Sequence, residues 1–155
     1  MVMQVAAAER RMTSRLIDSF YTEAMLLADE VRAYFDHHGR AERDALPPLL
    51  RVSFSCESLK VTTRLMHVIA WLLTRRGVEN GEITGEQARQ PARRLGLAAE
   101  SDPLLLADLP DAARALIEAS CDLYARINRL DGGIDQPQMA QSPVRVLLHR
   151  LEAAF

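Results

Sequence analysis

Two consecutive prolines, Pro47 and Pro48, precede a run of 28 residues that contains no further proline and no glycine before Gly77. A proline fits the first turn of a helix and no later one, so the run predicts a helix opening at Pro48 and ending near Gly77. At about 30 residues it would be roughly 45 Å long. Val52, Cys56, Leu59, Thr63, Met66, Ala70 and Leu73 recur along it at alternating spacings of four and three, the seam pattern of a coiled coil. Phe54, Ser58, Val61, Leu65, Val68 and Leu72 form a second seam, with Ile69 between the two. Apolar and small residues thus cover more than half of the circumference, too much for a helix with a single neighbour. A chain built around such an element is a helical bundle with this helix at its centre.

One row of the central helix is polar: Ser53, Glu57, Lys60, Arg64, His67, Trp71 and Arg75. It reads as the outer face. An aromatic within a charged row suits the anchoring of a protein partner, and the same Trp71 could equally lie under a connecting loop of its own chain. Glu57, Lys60, Arg64, His67, Trp71 and Arg75 are therefore the protein-interaction candidates. The hydroxyls of Ser55, Ser58, Thr62 and Thr63 need no catalytic role, because such groups bond back to a carbonyl one turn earlier and allow close helix packing.

A first helix is predicted over residues 14–37. Thr13 or Ser14 would cap it, Leu16, Ile17, Phe20, Ala24, Leu27, Ala28, Val31 and Phe35 would form its apolar face, and Gly39 would be its left-handed stop. A third helix is expected over 110–130, with Ala113, Leu116, Ile117, Ser120, Leu123, Tyr124, Ile127 and Leu130 inside and "DGG" as terminator. Between them, residues 78–109 read as a connector broken by glycines and Pro91, with a capping box at Thr84 and Gln87 and with Leu104 to Leu106 tucked against the bundle. Ser142 and Pro143 open a short C-terminal helix over 143–154. The fold expected is all-α: one domain spanning 1–155, an antiparallel three-helix bundle with a partly irregular connector. Its apolar share of 48% with only 5% aromatic residues fits a Leu- and Ala-rich helical protein.

Chemistry is sparse. No nucleophile lies beside a base and no paired carboxylates converge, so no enzyme activity and no cofactor are expected. His37 and His38 are adjacent and do not face one another, His67 and His149 lack a ligand partner three or four residues away, and Cys56 and Cys121 stand alone. No metal site follows, and both cysteines read as buried free thiols. The 19 basic and 21 acidic residues give a net charge of −2, which provides no field toward nucleic acid or an anionic membrane. Arg75, Arg76, Arg89, Arg93 and Arg94 do gather around the connector, which keeps a small DNA-associated regulator as the alternative, as is an oligomerisation module. Glu79, Glu82 and Glu86 offset them and no stacking aromatics accompany them. The N-terminal "MVMQVAAAERRM" does not read as a signal peptide, and no apolar run approaches the ~20 residues of a membrane span. A cytoplasmic protein is expected.

The stretches "ESLKVTTRLMHVIAWLL" followed by "RRGVENGEIT", and "ARALIEASCDLYARINRLD" at 113–131, resemble the alphaproteobacterial RcdA family, named as regulators of CtrA degradation. The amphipathic first helix and the "ALPP" leading into the second fit as well, and the resemblance spans residues 13–131. It implies a three-helix bundle, a homodimer and no enzymatic activity. It further implies an adaptor that helps deliver a cell-cycle response regulator to the ClpXP protease. The helical look of "SPVRVLLHRLEAAF" departs from the flexible tail of the best-known type.

Overall fold

The computed structural model describes residues 1–134 and Leu151. They form an all-α fold with no strand among the described residues: α1 (Val2–Ala33), a wider π-helical turn (Tyr34–His38), α2 (Gly39–Asp44), α3 (Pro48–Glu79), α4 (Gly85–Ala88), a 3₁₀ turn (Pro91–Arg93), α5 (Pro103–Leu106) and α6 (Asp111–Ile134). The C-terminal helix expected over 143–154 lies, apart from Leu151, outside the described residues.

α3 is the central element, packed on both α1 and α6. Its second seam does what its pattern requires: Phe54, Val61, Leu65, Val68 and Leu72 are buried, against Ile17, Phe20, Ala24, Leu27 and Val31 of α1 and Ala113, Ile117, Leu123 and Ile127 of α6 in one core. Ser53, Ser58, Thr62 and Thr74 each donate to a carbonyl three or four residues earlier, so these hydroxyls are satisfied within the helix.

The directions of the three helices correct part of the expectation. α1 is antiparallel to both others: Ser14 reaches Glu79, Asp18 pairs with Arg76, and Glu23 pairs with Arg126. α6, however, runs the same way as α3, since Arg64 meets Ser120 and Trp71 meets Asp131. Two neighbouring parallel elements need a crossover that returns the chain to its starting end. The connector supplies it by running back along α3.

The helix boundaries also differ from the sequence reading. α1 begins at Val2 rather than at Thr13, whose hydroxyl donates to the Glu9 carbonyl within the helix instead of capping it. Leu16 is exposed, whereas its neighbour Ile17 is buried in the core. Gly39 is no left-handed stop: its φ is −71° and the chain stays helical to Asp44. A glycine is needed there for space, since a Cβ would stand 2.9 Å from the Tyr34 carbonyl oxygen and 3.2 Å from Phe54 Cζ. The "DGG" stop fails as well, and α6 continues through Gly132 and Gly133 to Ile134. The capping box at Thr84 and Gln87 forms as expected. Of the three connector leucines only Leu106 is buried, while Leu104 is exposed. Cys121 is half-buried and Cys56 is exposed, which corrects the expectation of two buried thiols.

Candidate functional site

The two remaining rows of α3 exchange the places that their composition suggests. Glu57, Arg64 and Trp71 are only 1, 2 and 4% exposed, whereas the large apolar residues Leu49, Val52, Leu59, Met66 and Leu73 are between 50 and 83% exposed. Lys60, His67 and Arg75 are half-buried at the edges of the covered row. The interaction candidates named from sequence are therefore brought together, but beneath residues 94–101 and α6 rather than on the outer face. The reading of Trp71 as lying under a loop of its own chain is the one the structure supports.

The covered row is a ladder of donors that meets the returning connector. Lys60 Nζ pairs with Glu57 Oε1 at 2.9 Å and donates to the Glu100 carbonyl at 3.0 Å. Ser101 Oγ donates to Glu57 Oε2 and accepts from Arg64 Nη2 at 2.6 Å, so one hydroxyl bridges the acid and the guanidinium. Arg64 also donates to the Ala99 carbonyl at 2.7 Å and to Ser120 Oγ at 3.3 Å. One turn on, the His67 ring lies against Gly96, where a Cβ would stand 2.6 Å from Nδ1. Tyr124 of α6 donates to the Gly96 carbonyl at 2.7 Å.

At the far end, the Trp71 indole N–H donates to Asp131 Oδ1 at 2.8 Å, and Arg94 grips the same carboxylate through Nε at 2.8 Å and Nη2 at 3.1 Å. Burial pushes the Asp131 pKa up, but the hydrogen bonds from Arg94 and Trp71 and the charge of Arg94 outweigh it, and the carboxyl titrates below its ordinary range. Burial lowers the pKa of Arg75, against the opposing attraction of Glu79 and Asp131. Burial, ahead of smaller opposing effects, raises that of the Tyr124 phenol. Glu57, Arg64, Arg94 and Asp131 all have partners within the protein, and the arrangement holds the connector down. No cluster of metal-binding side chains occurs among the described residues.

The connector arginines do not converge either. Arg76 pairs with Asp18 and lies over the Tyr21 ring at 4.0 Å, and Arg94 belongs to the Asp131 cluster. Arg89 and Arg93 remain exposed.

The exposed row is the surface that sequence reasoning assigned to the interior. Leu49, Val52, Cys56, Leu59, Thr63, Met66, Ala70 and Leu73 run along α3 at spacings of three and four, all exposed. Beside them a shallow groove between α1 and α3 is floored by Val31, Phe35, Leu65 and Ile69.

Residues 8–155 match a family described as a protein of unknown function, DUF1465. The chain is also similar to the crystal structure of RcdA from Caulobacter crescentus CB15, with 34% sequence identity, a TM-score of 0.63, and coverage of 77% of this chain and 90% of that one. It belongs to this RcdA-like family. No curated protein matches the chain. Neither the family nor the RcdA neighbour indicates an enzyme. No helix among the described residues is long and apolar enough to cross a membrane.

Proposed function

We propose that this member of the RcdA-like family is a non-enzymatic adaptor or scaffold, acting in the cytoplasm as a homodimer and helping to deliver a cell-cycle response regulator to the ClpXP protease. The observation that carries the reading is the uncovered apolar row of α3 in a chain related to RcdA at 34% identity. Among the described residues the buried ions Glu57, Arg64 and Asp131 are engaged structurally while an apolar strip stays uncovered, a combination that supports binding of other proteins. Lys60, His67 and Arg75 contribute at most the exposed edge of their row to such binding. Glu57, Arg64 and Trp71 act by holding the connector in place.

The test is degradation in a reconstituted mixture of ClpXP and response regulators from the same cell, with and without the purified chain. Acceleration of one regulator's loss by the chain is the expected result. Unchanged degradation of all of them, with binding to neither protease nor regulator, would overturn the delivery reading. Duplex DNA binding has weaker support, because Arg76 and Arg94 are engaged within the protein.

A further inference from the structure

The connector buries some of its leucines and turns others out. Leu95 packs against the core and Leu106 and Leu109 are buried in it, whereas Leu97 and Leu104 are 91 and 81% exposed. A slack crossover would tuck every leucine it could against the bundle. This one is held in a fixed shape instead. Tyr124, Arg64 and Lys60 donate to the carbonyls of Gly96, Ala99 and Glu100, and Ser101 is locked between Glu57 and Arg64. The Asp102 carboxylate accepts from the Leu104 N–H at 2.9 Å and opens α5. Desolvating Glu57 and Arg64 is costly, and what it secures is the conformation of a loop whose two most prominent apolar side chains face water.

The charge of the same stretch is one-sided. Residues 95–113 contain four acidic residues, Glu100, Asp102, Asp108 and Asp111, and no Lys, Arg or His. All four are exposed. The cations that touch the stretch are occupied. Lys60 and Arg64 are engaged with Glu57, Ser101 and the connector's own carbonyls, and Arg114 pairs with Asp111 and donates to the Ala107 carbonyl at 3.3 Å. The side chains of Glu100 and Asp108 have no partner among the described residues.

We propose that the outer surface of residues 95–111 is a docking site for a basic, amphipathic segment of another protein, with Leu97 and Leu104 as its apolar anchors and Glu100 and Asp108 as its acidic rim. Charge selects the partner: exposed leucines alone fit any apolar segment, but carboxylates without local cations favour one that carries Lys or Arg and repel one that carries Asp or Glu. The donor ladder beneath fixes the anchors in advance, so little is lost to ordering the loop on binding. This surface goes beyond the reading above. It lies on a different side of α3 from the exposed Leu49 to Leu73 row and needs neither that row nor ClpXP.

Fluorescence anisotropy of a labelled amphipathic peptide of Lys and Leu, titrated with the full chain, tests it. The expected result is saturable binding that weakens as salt rises, with far weaker binding of a Glu and Leu peptide of the same pattern and of a Lys and Ser one. L97S/L104S should weaken the Lys and Leu peptide by roughly tenfold or more, the factor that burial of a leucine supplies. E100Q/D108N should weaken it less and flatten its salt dependence. All four positions are exposed, so the fold should tolerate both pairs, and unchanged helical circular dichroism and melting temperature verify it. L59S/M66S, on the exposed row of α3, should leave binding as it is. Binding that survives L97S/L104S, that is lost only in L59S/M66S, or that is equal for the Glu and Leu peptide would overturn the proposal, as would no binding at hundreds of micromolar. A fall in the mass of the free chain by light scattering in L97S/L104S would assign the face to a second copy and overturn it as well.

Discussion

Replacing Trp71 by Phe separates a structural row from a partner-binding one. The substitution keeps an aromatic ring and removes the indole N–H that reaches Asp131 Oδ1 at 2.8 Å. A hydrogen bond to a charged group contributes about 1.5–3 kcal/mol, and Asp131 retains Arg94, which favours the lower end. The smaller ring adds about 1 kcal/mol for the space it vacates. A loss of about 2–4 kcal/mol lowers the melting temperature of a chain this size by about 5–15 °C. An exposed side chain would cost no more than about 0.5 kcal/mol. The assay is thermal unfolding by circular dichroism at pH 7 and fixed protein concentration, and a shift within about 2 °C would refute the burial of this row. The acid dependence adds a second reading. Asp131 has a folded pKa below its unfolded value, so its contribution is complete above the ordinary carboxylate range near 3.8 and is lost as pH falls through the lower folded value. The gap between Trp71→Phe and the parent should therefore narrow toward its packing part in strong acid, where Asp131 is protonated in both.

Arg64→Ala leaves Glu57 buried with only Lys60 and Ser101, and removal of one member of a buried ionic group should cost about 3–5 kcal/mol in urea unfolding. Gly39→Ala should lower the melting temperature because its Cβ meets backbone at 2.9 Å, whereas Gly132→Ala, with nothing within 4 Å, should raise stability by about 0.5–1 kcal/mol. Alkylation should strike the exposed Cys56 faster than the half-buried Cys121 in dilute protein. Equal rates for the two thiols at low concentration would contradict their placement.

The three long helices were legible in the sequence because each announces itself by local means. Pro48 opens α3, Gly77 comes within two residues of its end, and the three-and-four spacing of Ile17, Phe20, Ala24, Leu27 and Val31 declares the inner face of α1. Terminators were less legible, since Gly39, Gly132 and Gly133 permit a left-handed stop without imposing one. What calls for a glycine at position 39 is the closeness of Tyr34 and Phe54, and Phe54 is 15 residues away in sequence. The assignment of faces on α3 failed for a similar reason. An apolar row and a polar row each ask to be covered or exposed according to what stands beside them, and the neighbour here is an irregular segment with no period to read.

That neighbour explains why the polar row is the buried one. Because α6 runs parallel to α3, the chain must travel back along α3 between them, and an irregular segment brings carbonyls that no helix or sheet has satisfied. Lys60 and Arg64, with Tyr124 from α6, donate to the carbonyls of Glu100, Ala99 and Gly96 in turn, so the donors follow the connector backward as α3 runs forward. An apolar row could not have made those bonds, and a connector lying on the Leu59 and Met66 face would have left its carbonyls without partners. The donor row therefore takes the loop, and the apolar row of the same helix is left uncovered among the described residues.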